Sequence, residues 1–166
     1  MLAAYPVFVQ SCVKLDFPMN TTFFTAIGRV PAGSSILDIS MCPLLKLPPG
    51  QSIDIVISFD AARRNALVLY ERDPLEFRKI VVSDDSLAER EFRLSSDQAS
   101  SKRFLLSGWS QSMSEENPEN WTQIPFKKHD IIDEFVNVYG FEDLLDSGSA
   151  STVDWNDILV QVKIAR

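Results

Sequence analysis

The chain has 166 residues, which is the size of a single globular domain. Hydrophobic residues make up 45% of it, enough to build a full core. The formal net charge is −7, and no basic stripe is visible along the chain. These properties argue against binding to nucleic acid or to an anionic membrane surface, and they suit the binding of cations.

The N-terminus, Met1 to Pro6, has neither a basic region nor a long apolar stretch, so we expect no signal peptide in this chain. The longest apolar runs fall far below the ~20 residues that span a bilayer, so we expect no membrane insertion. The compartment stays open: cytoplasmic, exported by another route, or exported and already trimmed.

Alternating apolar and polar residues predict β-strands along nearly the whole chain. In chain order the predicted strands cover residues 5–15, 21–30, 35–40, 52–59, 66–71, 76–82, 90–94, 103–109, 121–126, 135–139 and 158–164. The prolines at 43, 48 and 49 predict a long irregular connection over residues 43–50. Short strands separated by Gly, Pro, Asn and Asp predict an all-β fold. We expect an antiparallel β-sandwich, jelly-roll or Greek-key-like, as one domain over residues 1–166.

The two cysteines, Cys12 and Cys42, are too few for a disulfide scaffold or a cysteine zinc site. Two buried free thiols are favoured over a bridge between neighbouring strands. His129 is the single histidine and lies in a polar stretch between Lys128 and Asp130, where we expect an exposed loop. Any Ser-His-Asp triad would depend on this one residue.

Residues 140–166 combine an acidic loop with the last predicted strand. Eight acids lie between Asp130 and Asp157, and no Lys or Arg falls among them. Crowded carboxylates repel one another unless a cation or water separates them, and oxygen ligands at short spacing suit calcium. The candidate metal ligands are Glu142, Asp143, Asp146, Asp154, Asn156 and Asp157. The alternative is a capped turn, in which Asp and Asn side chains bond to their own backbone without an ion.

The segment from Gly140 to Leu144, a small-residue spacer, and Asp154-Trp155-Asn156-Asp157 before an alternating strand resemble a known C-terminal motif. The motif is similar to that of calcium-mediated bacterial lectins, and to that of calcium-binding surface β-sandwich repeats. In the lectins, carboxylates and an Asn of this loop bind two calcium ions, and sugar hydroxyls complete the coordination. The resemblance implies ligand roles for Glu142, Asp154, Asn156 and Asp157. Thr152 stands where the lectins have another Asp, and Asp146 is the candidate to replace it.

Aromatic rings that are exposed to solvent can stack on sugar faces, which makes Trp155 and Trp109 candidate ligand-binding residues. The alternative for each is a buried core tryptophan. In the lectins a partner subunit's terminal carboxylate reaches the calcium site, which implies a possible homo-oligomer here. The sequence therefore predicts a calcium-dependent, lectin-like carbohydrate-binding β-sandwich. The alternative function is a non-catalytic module for protein interaction or self-assembly, with structural calcium or none.

An enzyme is not expected, because the sequence shows no P-loop and no dinucleotide fingerprint. The stretch from Ser107 to Ser110 lacks the flanking pattern of a nucleophile elbow. Paired acids such as Glu115 and Glu116 would serve hydrolysis only if two carboxyls faced each other across a cleft.

Overall fold

The structure is a computed structural model that describes residues 37–60, 63–111, 121–130, 135–143 and 155–165. The strands predicted at residues 5–15 and 21–30 lie outside these ranges, as does Cys12. The described residues form a short 3-10 turn, Ile39–Met41, and ten strands. The strands are β1 Leu44–Leu47, β2 Ser52–Phe59, β3 Asn65–Glu71, β4 Glu76–Val82, β5 Glu91–Ser95, β6 Lys102–Gln111, β7 Trp121–Ile124, β8 Phe126–His129, β9 Val136–Phe141 and β10 Ile158–Ile164. Among these residues no helix is long and apolar enough to cross a membrane.

The strands form two antiparallel sheets. The first sheet has the order β1-β6-β3-β4, and β7 also pairs with β6. Both β1 and β7 lie on the same side of β6, β1 beside its first half and β7 beside its second half. The second sheet has the order β5-β2-β10-β9-β8. Non-consecutive neighbours in both sheets bring residues from distant parts of the chain together.

The main core lies between the two sheets, because each strand turns every second side chain inward. In β2 the isoleucines at 53, 55 and 57 point inward, as their alternation predicts. The buried core residues are Leu45, Leu47, Ile53, Ile55, Ile57, Leu67, Leu69, Val81, Phe104, Leu106, Ile124, Phe141, Ile158, Val160 and Val162. The prediction of an all-β antiparallel sandwich is confirmed.

A second apolar cluster lies on the opposite face of the first sheet. Its buried members are Leu37, Cys42, Ala66, Val68, Tyr70, Val82, Leu105, Trp109 and Trp121. Because β3 contributes side chains to both clusters, Asn65 to Tyr70 are buried without interruption. Cys42 is a free, buried thiol, as the sequence predicts for it.

Several predicted boundaries agree with the structure, and others do not. The strands β2, β4 and β10 have the predicted bounds. Residues 35 and 36 of the strand predicted over 35–40 lie outside the described ranges. Residues 37–40 do not form a strand, because Asp38 caps the 3-10 turn through a hydrogen bond of 2.9 Å from the Ser40 amide to Oδ1. The connection expected to be irregular contains strand β1, which pairs with β6 between the prolines that flank it.

The strand predicted over residues 121–126 is divided at Pro125, which cannot donate a backbone hydrogen bond. Strand β7 ends before this proline in the first sheet, and β8 begins after it in the second sheet. The chain therefore crosses from one sheet to the other at this point. His129 is half-buried at the end of β8 rather than in an exposed loop, which corrects that expectation.

Candidate metal centre

The pairing of β9 with β10 brings two acidic segments to one end of the second sheet. Phe141, at the end of β9, lies opposite Ile158, at the start of β10. Glu142 and Asp143 directly follow β9, and Asp157 directly precedes β10. Antiparallel pairing therefore places these three carboxylates beside one another, although 14 positions separate Asp143 from Asp157 in the chain.

The carboxylates of Glu142, Asp143 and Asp157 each offer an oxygen, and these oxygens lie within 4.8 Å of one another. Glu142 is 2% exposed and Asp157 is 7% exposed, whereas Asp143 is half-buried. The backbone amide of Asp143 donates to Asp157 Oδ2 at 2.7 Å. The backbone amide of Trp155 donates to Glu142 Oε2 at 3.0 Å. These two hydrogen bonds connect the segment that follows β9 to the segment that precedes β10 through the acidic side chains.

The electrostatics of this cluster favour the neutral form of one carboxyl group. Burial raises the pKa of Asp157 to about 7, and the hydrogen bond and charge of Glu142 and the charge of Asp143 act in the same direction. The amide of Asp143 opposes this shift by stabilising the carboxylate. A bound cation would supply the opposite charge and would favour the ionised form of these carboxyl groups over the protonated form.

The first sheet also reaches the cluster, through residues that the sequence did not indicate. Ser110 Oγ donates to Asp143 Oδ2 at 3.2 Å. With its amide nitrogen turned toward the site, fully buried Asn65 donates to Asp143 Oδ2 at 3.2 Å and to Ser110 Oγ at 3.1 Å. Asn65 and Ser110 face each other in the pairing of β3 with β6. The one sequence signal was an Asn directly before a fully apolar strand stretch.

Trp155 contacts the cluster through its backbone amide. Its φ of 56° lies in the left-handed region, which a bulky residue rarely adopts. Its carbonyl oxygen lies 3.3 Å from His129 Nε2 and packs against Gly140. A Cβ at Gly140 would overlap this oxygen, so the close approach of the two loops requires glycine there.

Of the six predicted ligands, the structure brings together Glu142, Asp143 and Asp157. Asn156 lies next to Asp157 and is half-buried, whereas Asp146 and Asp154 lie outside the described residues.

The two candidate tryptophans differ in their surroundings. Trp155 is half-buried beside the acidic cluster. Trp109 is only 4% exposed and belongs to the second apolar cluster. Trp109 is therefore a buried core tryptophan rather than a sugar-binding residue, because its ring has no free face on which a sugar could stack.

The donor set fits a hard divalent cation. Three carboxylates supply anionic oxygens, which calcium prefers at a coordination number of roughly 6–8. Backbone amides donate to Asp157 and Glu142, and a hydroxyl and a side-chain amide donate to Asp143. Neutral donors orient the carboxylates without cancelling their charge, which is what a cation site needs.

No protein-family model matches the sequence, and a search of curated proteins gives no match. Among solved structures, the chain is similar to the Chromobacterium violaceum lectin CV2L in complex with alpha-methyl-fucoside, with a TM-score of 0.50 and 13% sequence identity. This match covers 74% of the present chain and 96% of that lectin. The present chain therefore has the β-fold of a bacterial lectin.

Two further structures are similar at lower scores. The C-terminal domain of the BC2L-C lectin from Burkholderia cenocepacia has a TM-score of 0.49 and 16% identity, over 74% of this chain and 95% of that one. The Ralstonia solanacearum high-affinity mannose-binding lectin has a TM-score of 0.48 and 13% identity, over 74% of this chain and 96% of that one.

Proposed function

We propose that this protein binds calcium between Glu142, Asp143 and Asp157 and binds carbohydrate through that ion. The observation that carries the proposal is the cluster itself, with three carboxylate oxygens within 4.8 Å of one another. Burial of several carboxylates is costly unless a cation balances their charge or a proton neutralises one of them. We expect Asn156 and Asp154 to complete the coordination, as the lectin-like motif implies, with Asp146 as the candidate to replace the Asp that is missing at Thr152.

The carbohydrate part of the proposal is supported by the motif and by the shared fold. CV2L, which has a similar fold, was solved with alpha-methyl-fucoside bound. In this chain a sugar would add hydroxyl oxygens to the half-buried side of the cluster, where Asp143 and Asn156 lie. We propose Trp155 as the aromatic residue that contacts the sugar, because Trp155 is half-buried beside the same cluster. We propose a binding protein rather than an enzyme, and a homo-oligomer stays a prediction.

One observation favours the second candidate function, a non-catalytic interaction module with a structural ion. Glu142 and Asp157 are 2% and 7% exposed, so an ion held by them has protein on at least one side. An ion that is covered on all sides stabilises the fold but cannot bind a sugar. The two functions therefore differ in whether a bound ion has a side that is open to solvent.

Thermal unfolding tests the metal site. We expect calcium at about 100 times its Kd to stabilise the chelated protein by about 2.7 kcal/mol, because the ion binds only the folded state. For a domain of this size that corresponds to a Tm increase of roughly 5–10 °C. Asp157→Asn should abolish the increase, whereas Glu91→Gln, the same kind of change at an exposed position on β5, should retain it. A Tm that calcium and EDTA both leave unchanged would refute the site.

A glycan array, probed with calcium and then with EDTA, tests the carbohydrate part. We expect binding that requires calcium, is lost in Asp157→Asn and is weakened in Trp155→Ala. An array without hits, combined with a calcium-dependent Tm, would contradict the lectin function and support the structural-ion alternative.

A further inference from the structure

His129 is a half-buried side chain beside the metal centre, and it is not one of the predicted ligands. It ends β8, the last strand of the second sheet, and lies opposite Val138 in the pairing with β9. Cross-strand partners project from the same face of a sheet, and so do Val138 and Gly140, which are two positions apart. The imidazole therefore lies on the face where Gly140 has no side chain.

Gly140 leaves room for this imidazole as well as for the Trp155 carbonyl. A Cβ at position 140 would lie 2.5 Å from His129 Nε2, and the Trp155 carbonyl oxygen approaches the same point more closely still. The ring nitrogen and the carbonyl oxygen are 3.3 Å apart. A carbonyl oxygen can only accept a hydrogen bond, so Nε2 must carry a proton and donate it. The contact thus selects the Nε2–H tautomer of the neutral imidazole.

The hydrogen bond from His129 fixes the peptide unit that leads into the last acidic residues of the loop. The Trp155 carbonyl and the Asn156 amide belong to one planar unit, so holding the oxygen sets the direction in which Asn156 and Asp157 follow. On the other side of the same residue, the Trp155 amide donates to Glu142 Oε2 at 3.0 Å. Trp155 is therefore held through both of its backbone polar groups.

Trp155 needs this restraint because of its backbone conformation. Its φ of 56° is left-handed, which a bulky residue adopts only where its surroundings hold it. Without a donor at position 129 the carbonyl would lose this restraint, and other conformations of the loop would become populated. A site that is correctly arranged in only a fraction of the molecules binds its ion more weakly in proportion to that fraction.

We propose that His129 is a positioning residue of the metal centre. Its Nε2–H group holds the Trp155 carbonyl and, through it, the loop that carries Asn156 and Asp157. As a neutral donor it orients this loop without adding charge to the site. The inference rests on the proposed calcium site, and it adds to that site a residue from a strand outside the lectin-like motif.

Calcium titration calorimetry on matched variants tests the positioning role. His129→Ala should raise the Kd for calcium about tenfold, the usual effect of losing a hydrogen bond behind the ligands of a metal. His129→Gln, whose side-chain amide can still donate, should stay within about threefold of the parent. The control Gln161→Ala removes an uncharged, exposed side chain from β10 of the same sheet and should leave the Kd unchanged.

Urea unfolding in EDTA separates this role from a purely structural one. If His129 only supported the fold, His129→Ala would lower the free energy of unfolding and leave the Kd of the folded protein unchanged. That result, in a parent that binds calcium, would overturn the positioning role and leave the calcium site intact. A parent that binds no calcium would refute the calcium site and the positioning role together.

NMR of the imidazole nitrogens in the parent protein gives a test that needs no variant. His129 is the single histidine of the chain, so the signals of its ring belong to it without further assignment. We expect Nε2 to carry the proton, both in EDTA and in calcium, at pH values that leave the ring neutral. A ring protonated at Nδ1 alone would overturn the proposal, because Nε2 could not then donate to Trp155.

Discussion

Gly140 and Trp155 hold the two acidic loops together at the scale of single residues. The backbone of Trp155 donates to Glu142 and turns its carbonyl oxygen toward Gly140 and His129. Its left-handed φ of 56° costs conformational energy that the surrounding contacts must offset. Glycine is required at position 140, because any other residue would place a Cβ where the Trp155 carbonyl oxygen approaches.

Gly140→Ala tests this contact. A Cβ would meet the Trp155 carbonyl and would lie 2.5 Å from His129 Nε2, so the loops must separate. We expect the free energy of unfolding to fall by about 1–3 kcal/mol in urea titrations, together with weaker calcium binding. Adding His129→Ala should restore little of this loss, because the nearest atom belongs to the backbone. A Gly140→Ala protein with the stability of the parent would contradict the described loop geometry.

Strand β10 shows how one element combines core and surface at the scale of secondary structure. It lies between β2 and β9 in the second sheet, and Ile158 at its start is fully buried. Ile164 at its end is 41% exposed. The strand thus buries its beginning, next to the acidic cluster, and leaves its end at the surface.

The two isoleucines form a matched pair for mutagenesis. Ile158→Ala should lower the free energy of unfolding by about 2–5 kcal/mol, because it opens a cavity in the main core. Ile164→Ala makes the same chemical change at an exposed position and should cost less than about 1 kcal/mol. Chemical denaturation with a common m-value provides the comparison. Equal losses in the two variants would contradict the packing of β10.

At the scale of the whole molecule, the acidic cluster joins the two sheets. Asp143 follows a strand of the second sheet, and its donors Asn65 and Ser110 belong to strands of the first. An ion bound there would therefore connect both halves of the sandwich. For this reason we expect calcium to affect global stability and not only the local loop.

Asn65→Asp tests that connection with almost no change in shape. The new carboxylate cannot donate to Asp143, and it adds a negative charge to a buried site. We expect the chelated variant to lose about 1–3 kcal/mol of unfolding free energy, and calcium to recover most of that loss. Paired thermal melts in EDTA and in calcium measure both quantities. A loss of the same size with and without calcium would show that Asn65 acts independently of the cluster.

The sequence determined the all-β class and the positions of β2, β4 and β10, because side chains alternate with a period of two wherever one face of a strand is buried. It also indicated Glu142, Asp143 and Asp157, because carboxylates crowded near a strand can be recognised locally. Strand β1 was missed, since its prolines suggested irregular chain and only pairing with β6 forms the strand.

What only the tertiary structure decided depends on contacts between residues far apart in the chain. Asn65 and Ser110 approach Asp143 because two sheets meet at one end of the sandwich, and no spacing within the chain encodes that. The same holds for Trp109, whose burial follows from a second apolar layer on the first sheet. Local pattern fixes which way a side chain points from its strand, but the packing of sheets decides what it meets there.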